Sequence, residues 1–151
     1  MQVDDPDILS LVRAIRSQYT LDWEGIHGVS HWARVWENGQ RLSEETGSDK
    51  RVAAYFALFH DARRFNDDYD PDHGQRGADL AARWRGEMFE LEDEAFDALY
   101  MACVHHTDGL TEGDLSVQVC WDADRLDLLR VGIRPAGNRL CTDAARSCID
   151  W

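Results

Sequence analysis

His60 and Asp61 stand side by side at the end of a stretch, Val52 to Phe59, that is hydrophobic at every position. A helix that is apolar on all sides is a buried one. A carboxylate at the end of such a helix is costly unless it is paired, hydrogen-bonded or bound to a cation. His31 lies upstream in His31-Trp32-Ala33-Arg34-Val35, and Asp124 lies downstream in Trp121-Asp122-Ala123-Asp124-Arg125-Leu126. A histidine, a His-Asp pair and a distant aspartate, each on its own helix, make a candidate divalent-metal site. Donors of mixed nitrogen and oxygen, without thiolate, suit manganese, iron, cobalt, nickel, zinc or magnesium better than copper(I) or a cluster.

Other residues with chemical capacity gather around this set. At helical spacing Asp124 neighbours Cys120, Trp121, Asp127 and Leu128, a mostly apolar stripe on which a carboxylate needs a partner. Taken alone, Asp124 pairs equally well with a buried arginine; taken with His31 and His60-Asp61, it reads as a metal ligand. Asp122 has Arg125 three residues on and can pair with it. His27 precedes His31 by one helical turn, which suits a second ligand or a group standing behind one. Arg34 follows His31 by three residues and is placed to grip a phosphate oxygen. His105-His106 ends a helix, where interaction with the helix dipole is a sufficient structural role and proton transfer a functional one. His73 is a surface residue, a substrate contact or a ligand of a second metal. Arg63, Arg64 and Arg76 surround the acidic loop after Asp61. Each has Asp67, Asp68, Asp70 or Asp72 as an ordinary partner, and as a set one of them is expected to face a substrate phosphate.

The elements that position these residues are helices. Asp5-Pro6 opens the first, which runs to about Tyr19 with Ile8, Leu9, Val12 and Ile15 inward. The second is expected over Val29 to Glu45 with Gly47 as its stop. The third covers Ser48-Asp49 to Ala62, the fourth His73 to Arg85, the fifth Glu92 to His106 and the sixth Leu115 to Val131. A short helical turn is expected near Thr142 to Ser147. The stretch Arg64 to Asp72 is too acidic and turn-rich for a core element. No segment alternates with the period of a strand. The expectation is an all-α, compact single-domain bundle of about six helices spanning residues 1–151.

Bulk properties narrow the function classes. The 151 residues, 44% hydrophobic with six tryptophans, suffice for one core. A net charge of −13 disfavours a non-specific grip on a nucleic acid duplex or an anionic membrane surface. It leaves room for a small phosphorylated ligand, because a bound divalent cation reverses the local field. The four cysteines form no C-x-x-C pair, and Cys103 and Cys120 read as core residues. Together with an N-terminus lacking a basic and an apolar region, this points to the cytoplasm. Phosphate-binding glycine loops, H-E-x-x-H and G-x-S-x-G are absent from the sequence.

The order His31, His60-Asp61, Asp124 resembles that of the HD-domain metal-dependent phosphohydrolase superfamily. The flanks agree: His31-Trp32-Ala33-Arg34-Val35, Leu58-Phe59-His60-Asp61 and Ala123-Asp124-Arg125-Leu126 look like the family's first-histidine, namesake and last-aspartate helices. The resemblance covers about Gly25 to Val131. It implies a helical fold around one or two divalent ions and hydrolysis of a phosphate ester or anhydride, often on a nucleotide. It implies His31, His60, Asp61 and Asp124 as metal ligands. Asp61 would also orient the attacking water, His105 or His106 would move a proton or complete a second metal site, and Arg34 or Arg64 would neutralise phosphate charge. Asp70-Pro71-Asp72-His73-Gly74 and His105-His106-Thr107-Asp108-Gly109 look similar to segments that add histidines in two-metal members. The short His60-to-His73 interval and the missing Gly-Tyr-Pro depart from the cyclic-dinucleotide phosphodiesterase branch, so the expectation is one metal with room for a second. A di-iron oxygenase on the same fold and a non-catalytic, metal-stabilised binding module are the competing readings.

Overall fold

Local signals start and stop the helices where the chain must turn. The Asp5 side chain accepts from the Asp7 amide and Pro6 occupies the first turn, opening α1 (Pro6–Gln18). Gly47, at φ 81°, closes α2 (Val29–Thr46), and the Asp49 carboxylate caps α3 (Lys50–Phe59) through the Arg51 amide. Then follow α4 (His73–Trp84), α5 (Asp93–His105), α6 (Leu115–Arg125) and α7 (Asp143–Arg146), with 3-10 turns at Leu128–Val131 and Gly137–Arg139. This computed structural model describes residues 5–149. Among them the chain is all-α, with a lone bridge between Arg85 and Phe89 and no strand.

The third helix is the axis of the molecule. It touches α2, α4, α5 and α6, and every residue from Val52 to Phe59 except half-buried Tyr55 is buried. Burying Phe56, Leu58 and Phe59 stabilises by roughly 1.5–3 kcal/mol each. That draws the adjoining His60 and Asp61 inside, where they are 0% and 2% exposed. Around this axis α2 packs along α3 and α6, and α4 packs along α5. Trp32 and Trp121 fill the space on the α2 and α6 sides.

Two glycines let α4 come close enough to matter. A β-carbon at Gly77 would lie 2.2 Å from the Phe59 carbonyl oxygen, and one at Gly74 would lie 2.3 Å from that of Cys103. Any side chain there would push α4 away from the C-terminal ends of both α3 and α5. His73, the first residue of α4, would move with it.

Three expectations need correction. Leu9 of α1 faces solvent, and Leu11 is buried beside Ile8 and Ile15 instead. The sixth helix ends at Arg125, not Val131: the Asp127 amide bonds to the Asp124 carbonyl at 3.0 Å, a tightening that passes into the 3-10 turn and stops at Gly132 with φ 79°. Asp122 does not pair with Arg125. It is fully buried, and its oxygens accept from the Cys141 amide at 2.7 Å, the Thr142 amide at 2.9 Å and the Thr142 hydroxyl at 2.8 Å, tying the tail to α6.

Candidate metal centre

His31 from α2, His60 and Asp61 from the end of α3, and Asp124 from α6 meet at one point. His31 Nε2 lies 3.0 Å from His60 Nε2 and 3.2 Å from Asp124 Oδ1. Asp61 Oδ2 is 3.5 Å from each of the two imidazole nitrogens. A second group stands on the other side of Asp61. Its Oδ1 lies 3.1 Å from His73 Nε2 and 3.6 Å from His106 Nε2, and those two nitrogens are 2.9 Å apart. Thus His31, His60 and Asp124 form one group able to hold a metal ion, and Asp61, His73 and His106 form another. One carboxylate presents an oxygen to each.

The tautomers show what these groups require. Each histidine Nδ1 faces an oxygen that carries no hydrogen: Asp127 Oδ2 at 2.7 Å for His31, and the carbonyls of Phe56, Asp70 and Cys103 at 3.0, 2.5 and 2.7 Å for His60, His73 and His106. Nδ1 is therefore the donor in all four rings, and a neutral ring turns its Nε2 lone pair to the centre. Four lone pairs and two carboxylates converge in a buried space, with like facing like at 2.9 and 3.0 Å. Positive charge, whether protons on the rings or a metal ion, makes that arrangement favourable. A divalent cation fits it: the donors are imidazole and carboxylate, and each ring is oriented from behind by an oxygen, the usual support of a metal-bound histidine.

The electrostatics agree. Burial alone would raise Asp61 and Asp124, but with their rings protonated the surrounding histidines outweigh it and hold both carboxyls well below the usual carboxylate range. Burial opposes charge on His31, yet Asp124 and Asp127 prevail and push its pKa up to about 9. The site thus favours anionic carboxylates and a cation between them.

The remaining candidates divide by position. His106 points inward and is 5% exposed, whereas His105, one residue earlier on α5, faces outward and bonds to Asp108 at 2.7 Å. Arg34 stands behind the site: its Nε donates to Asp127 Oδ1 at 2.7 Å, so its charge supports the carboxylate that holds His31. Arg64 lies beside the centre, with Nε 3.3 Å from Asp61 Oδ1 and a guanidinium steadied by the Asn66 and Asp68 carbonyls. Arg63 turns away to Gln18, and Arg76 binds Asp70. His27 precedes α2 and is no ligand in either group. Its Nδ1 bonds to Asp67 at 2.8 Å, and its carbonyl is held by Trp32 Nε1 and the Tyr19 hydroxyl.

Two residues went unrecognised in the sequence. Asp127 follows Asp124 by three residues, and the two carboxylates take the two ring nitrogens of His31. Arg130 bonds to the Ile26 carbonyl at 2.9 Å and the Asp127 carbonyl at 3.0 Å, and lines the cleft; no sequence signal marked it.

A cleft of about 290 Å³ opens on the centre, lined by His27, Asp61, Arg64, His106, Asp124 and Arg130. Arg64 also borders a second hollow of about 400 Å³ that reaches His73 and Tyr69. A roomier hollow, about 540 Å³ against Arg51 and Glu92, includes no residue of either group, so size is a poor guide to the chemistry here.

Helices, centre and cleft define an all-α protein with a metal-binding heart. No protein-family model matches the chain, and no curated protein does. Among solved structures it is similar to the crystal structure of a predicted HD superfamily hydrolase from an uncultured Thermotogales bacterium, with 26% identity over 96% of this chain and 84% of that one, and a TM-score of 0.74. The chain thus shares the fold of a predicted HD superfamily hydrolase, and its two His/Asp groups could each hold a metal ion. Among the described residues no helix is long and apolar enough to cross a membrane.

Proposed function

We propose that the protein is a metal-dependent phosphohydrolase acting on a nucleotide or another small phosphate ester or anhydride. The carrying observation is Asp61, whose two carboxylate oxygens face two separate histidine groups beside an open, arginine-lined cleft. The solved neighbour is described as a predicted hydrolase, which supports the same class. His31, His60 and Asp124 would hold one ion, His73 and His106 another, and Asp61 would touch both. Four imidazoles favour manganese, iron, cobalt, nickel or zinc over magnesium. When bound, such ions lower the pKa of a water and polarise a phosphoryl oxygen.

The protein's own residues do the rest. Asp61 orients the attacking water from the floor of the cleft. Arg64 and Arg130 supply fixed positive charge where phosphate charge develops. Asp127 and Arg34 keep His31 in its ligating tautomer. Elemental analysis of the purified protein, with a phosphatase screen in added manganese, cobalt or zinc, tests the reading. Expected are about two equivalents of metal and turnover that a chelator abolishes. Full metal occupancy with no hydrolysis across nucleotides and simple esters would overturn it.

A second reading is favoured by the nitrogen-rich donor set, which also suits a pair of irons in an oxygenase. Oxygen consumption by the iron-loaded protein, without phosphate release, would select it.

A further inference from the structure

The wall of the metal cleft carries a histidine that belongs to neither metal group. The loop before α2 sets His27 against the cleft, and its main chain is fixed there. Its carbonyl accepts from Trp32 Nε1 at 2.8 Å and from the Tyr19 hydroxyl at 3.0 Å. The preceding Ile26 carbonyl accepts from Arg130 Nε at 2.9 Å. Gly28 permits the tight approach, since a β-carbon there would lie 2.1 Å from the Trp23 carbonyl oxygen.

The ring is fixed as well. Nδ1 lies 2.8 Å from Asp67 Oδ1, a carboxylate oxygen that only accepts, so Nδ1 carries the hydrogen. Burial lowers the His27 pKa, and with Arg64 and Arg130 it outweighs the pull of Asp67 and Asp61, so the ring is neutral near pH 7 and Nε2 is a lone pair. That nitrogen is not sealed in. Among the described residues Arg125 Nη2 is the only buried side-chain nitrogen or oxygen without a partner. His27 Nε2 has no partner within the protein either, so it has surface open to the cleft that the ring lines.

An acceptor is out of keeping with its surroundings. Arg64 and Arg130 on the same walls only donate, which suits phosphoryl oxygens. A lone pair repels those oxygens and needs a hydrogen from another part of the ligand. An ammonium is disfavoured beside two guanidiniums, whereas a neutral hydroxyl fits. A ligand lacking that hydroxyl would cover Nε2 and leave it unpaired, at a cost that discriminates between substrates.

We infer that His27 is a specificity-determining residue: Nε2 accepts a hydrogen bond from a hydroxyl on the leaving group, and the protein selects phosphate esters of polyols or sugars over those of plain alcohols. Asp67 is a positioning residue, which acts by keeping the ring hydrogen on Nδ1. The inference deepens the phosphohydrolase reading and rests on it for the reaction, while the hydroxyl contact stands on the cleft alone.

The test uses the full, metal-loaded chain and two matched pairs. Turnover is read with glycerol phosphate against propyl phosphate. Binding is read by calorimetry with the phosphonate analogues of both, in which carbon replaces the ester oxygen and no hydrolysis occurs. Wild type should favour the hydroxylated member of each pair about tenfold, in kcat/KM and in Kd. His27→Leu should erase both preferences with metal content unchanged. Asp67→Asn, made at an exposed side chain, lets an amide donate to Nδ1 and moves the ring hydrogen to Nε2. It should cut both preferences about threefold or more without removing the ring. Equal binding of the two phosphonates by wild type overturns the inference even where phosphatase activity is found. So does a loss of equal size for both esters in His27→Leu. A binding preference lost in both variants, with no ester hydrolysed, supports the hydroxyl contact and counts against the phosphohydrolase reading.

Discussion

The two histidine groups share Asp61 but are built differently behind it. In the first, His31 is backed by a carboxylate, Asp127, itself paired with Arg34. In the second, His73 and His106 are backed by main-chain carbonyls of Asp70 and Cys103. A carboxylate behind the ring makes its other nitrogen more basic than a carbonyl does. The first group also owns Asp124, whereas the second depends on the shared Asp61 for its only charge. In the proposed two-metal reading the first would be the tighter site, filled at lower metal concentration, whereas the second depends on the close approach of α4.

The bridge between the groups offers the largest break. Asp61→Asn should empty both sites and lower turnover on the order of a thousandfold, read by elemental analysis beside kinetics. A variant keeping two metals and full rate removes Asp61 from its proposed role.

Separating the groups comes next. Gly74→Val sets side-chain atoms against the Cys103 carbonyl and so lifts α4. Metal content should fall from two equivalents to one, with turnover down about a hundredfold, the usual consequence of an ångström of misplacement. Retention of both ions would show that the second group does not rely on helix proximity.

A smaller effect sharpens the difference in backing. Asp127→Asn should weaken the first site about 10–100-fold and leave the second unchanged, as measured by competition with a chelator. Equal weakening of the two sites would mean that the carboxylate support is not what distinguishes them.

The least effect concerns Asp70, which sets the turn before His73 and whose carboxylate accepts from the Phe65 amide and Arg76. Burial alone would raise this carboxyl, but Arg76 and the Phe65 amide hold it below its ordinary value. A depressed carboxyl contributes stability that is present above the unfolded value of about 3.9 and lost as pH falls through the folded one. Asp70→Asn should lower Tm by about 2–4 °C at neutral pH, and the gap should close on acidification below pH ~4. A gap that persists in acid would sink this account.

Much of the first group was legible along the chain because its cues are local. An all-apolar helix ending in His-Asp, and an aspartate on an apolar stripe, mark buried charge that needs a partner. The helices were legible for the same reason, through caps such as Asp5-Pro6, Asp49 and Gly47. The second group was harder to see. His73 follows an acidic loop and looks like surface, and nothing in a linear reading shows that Gly74 and Gly77 bring it against α5 and the end of α3.

Residue chemistry, spacing and hydrophobic period by themselves determined an all-helical chain and marked His31, His60, Asp61 and Asp124 as candidates for its chemistry, because those properties belong to single segments. Tertiary structure alone decided which of His105 and His106 faces inward, that Arg34 stands behind His31, and that Asp61 lies between two groups. Those facts depend on helix phase and approach distance, which arise only when segments far apart in the chain pack together.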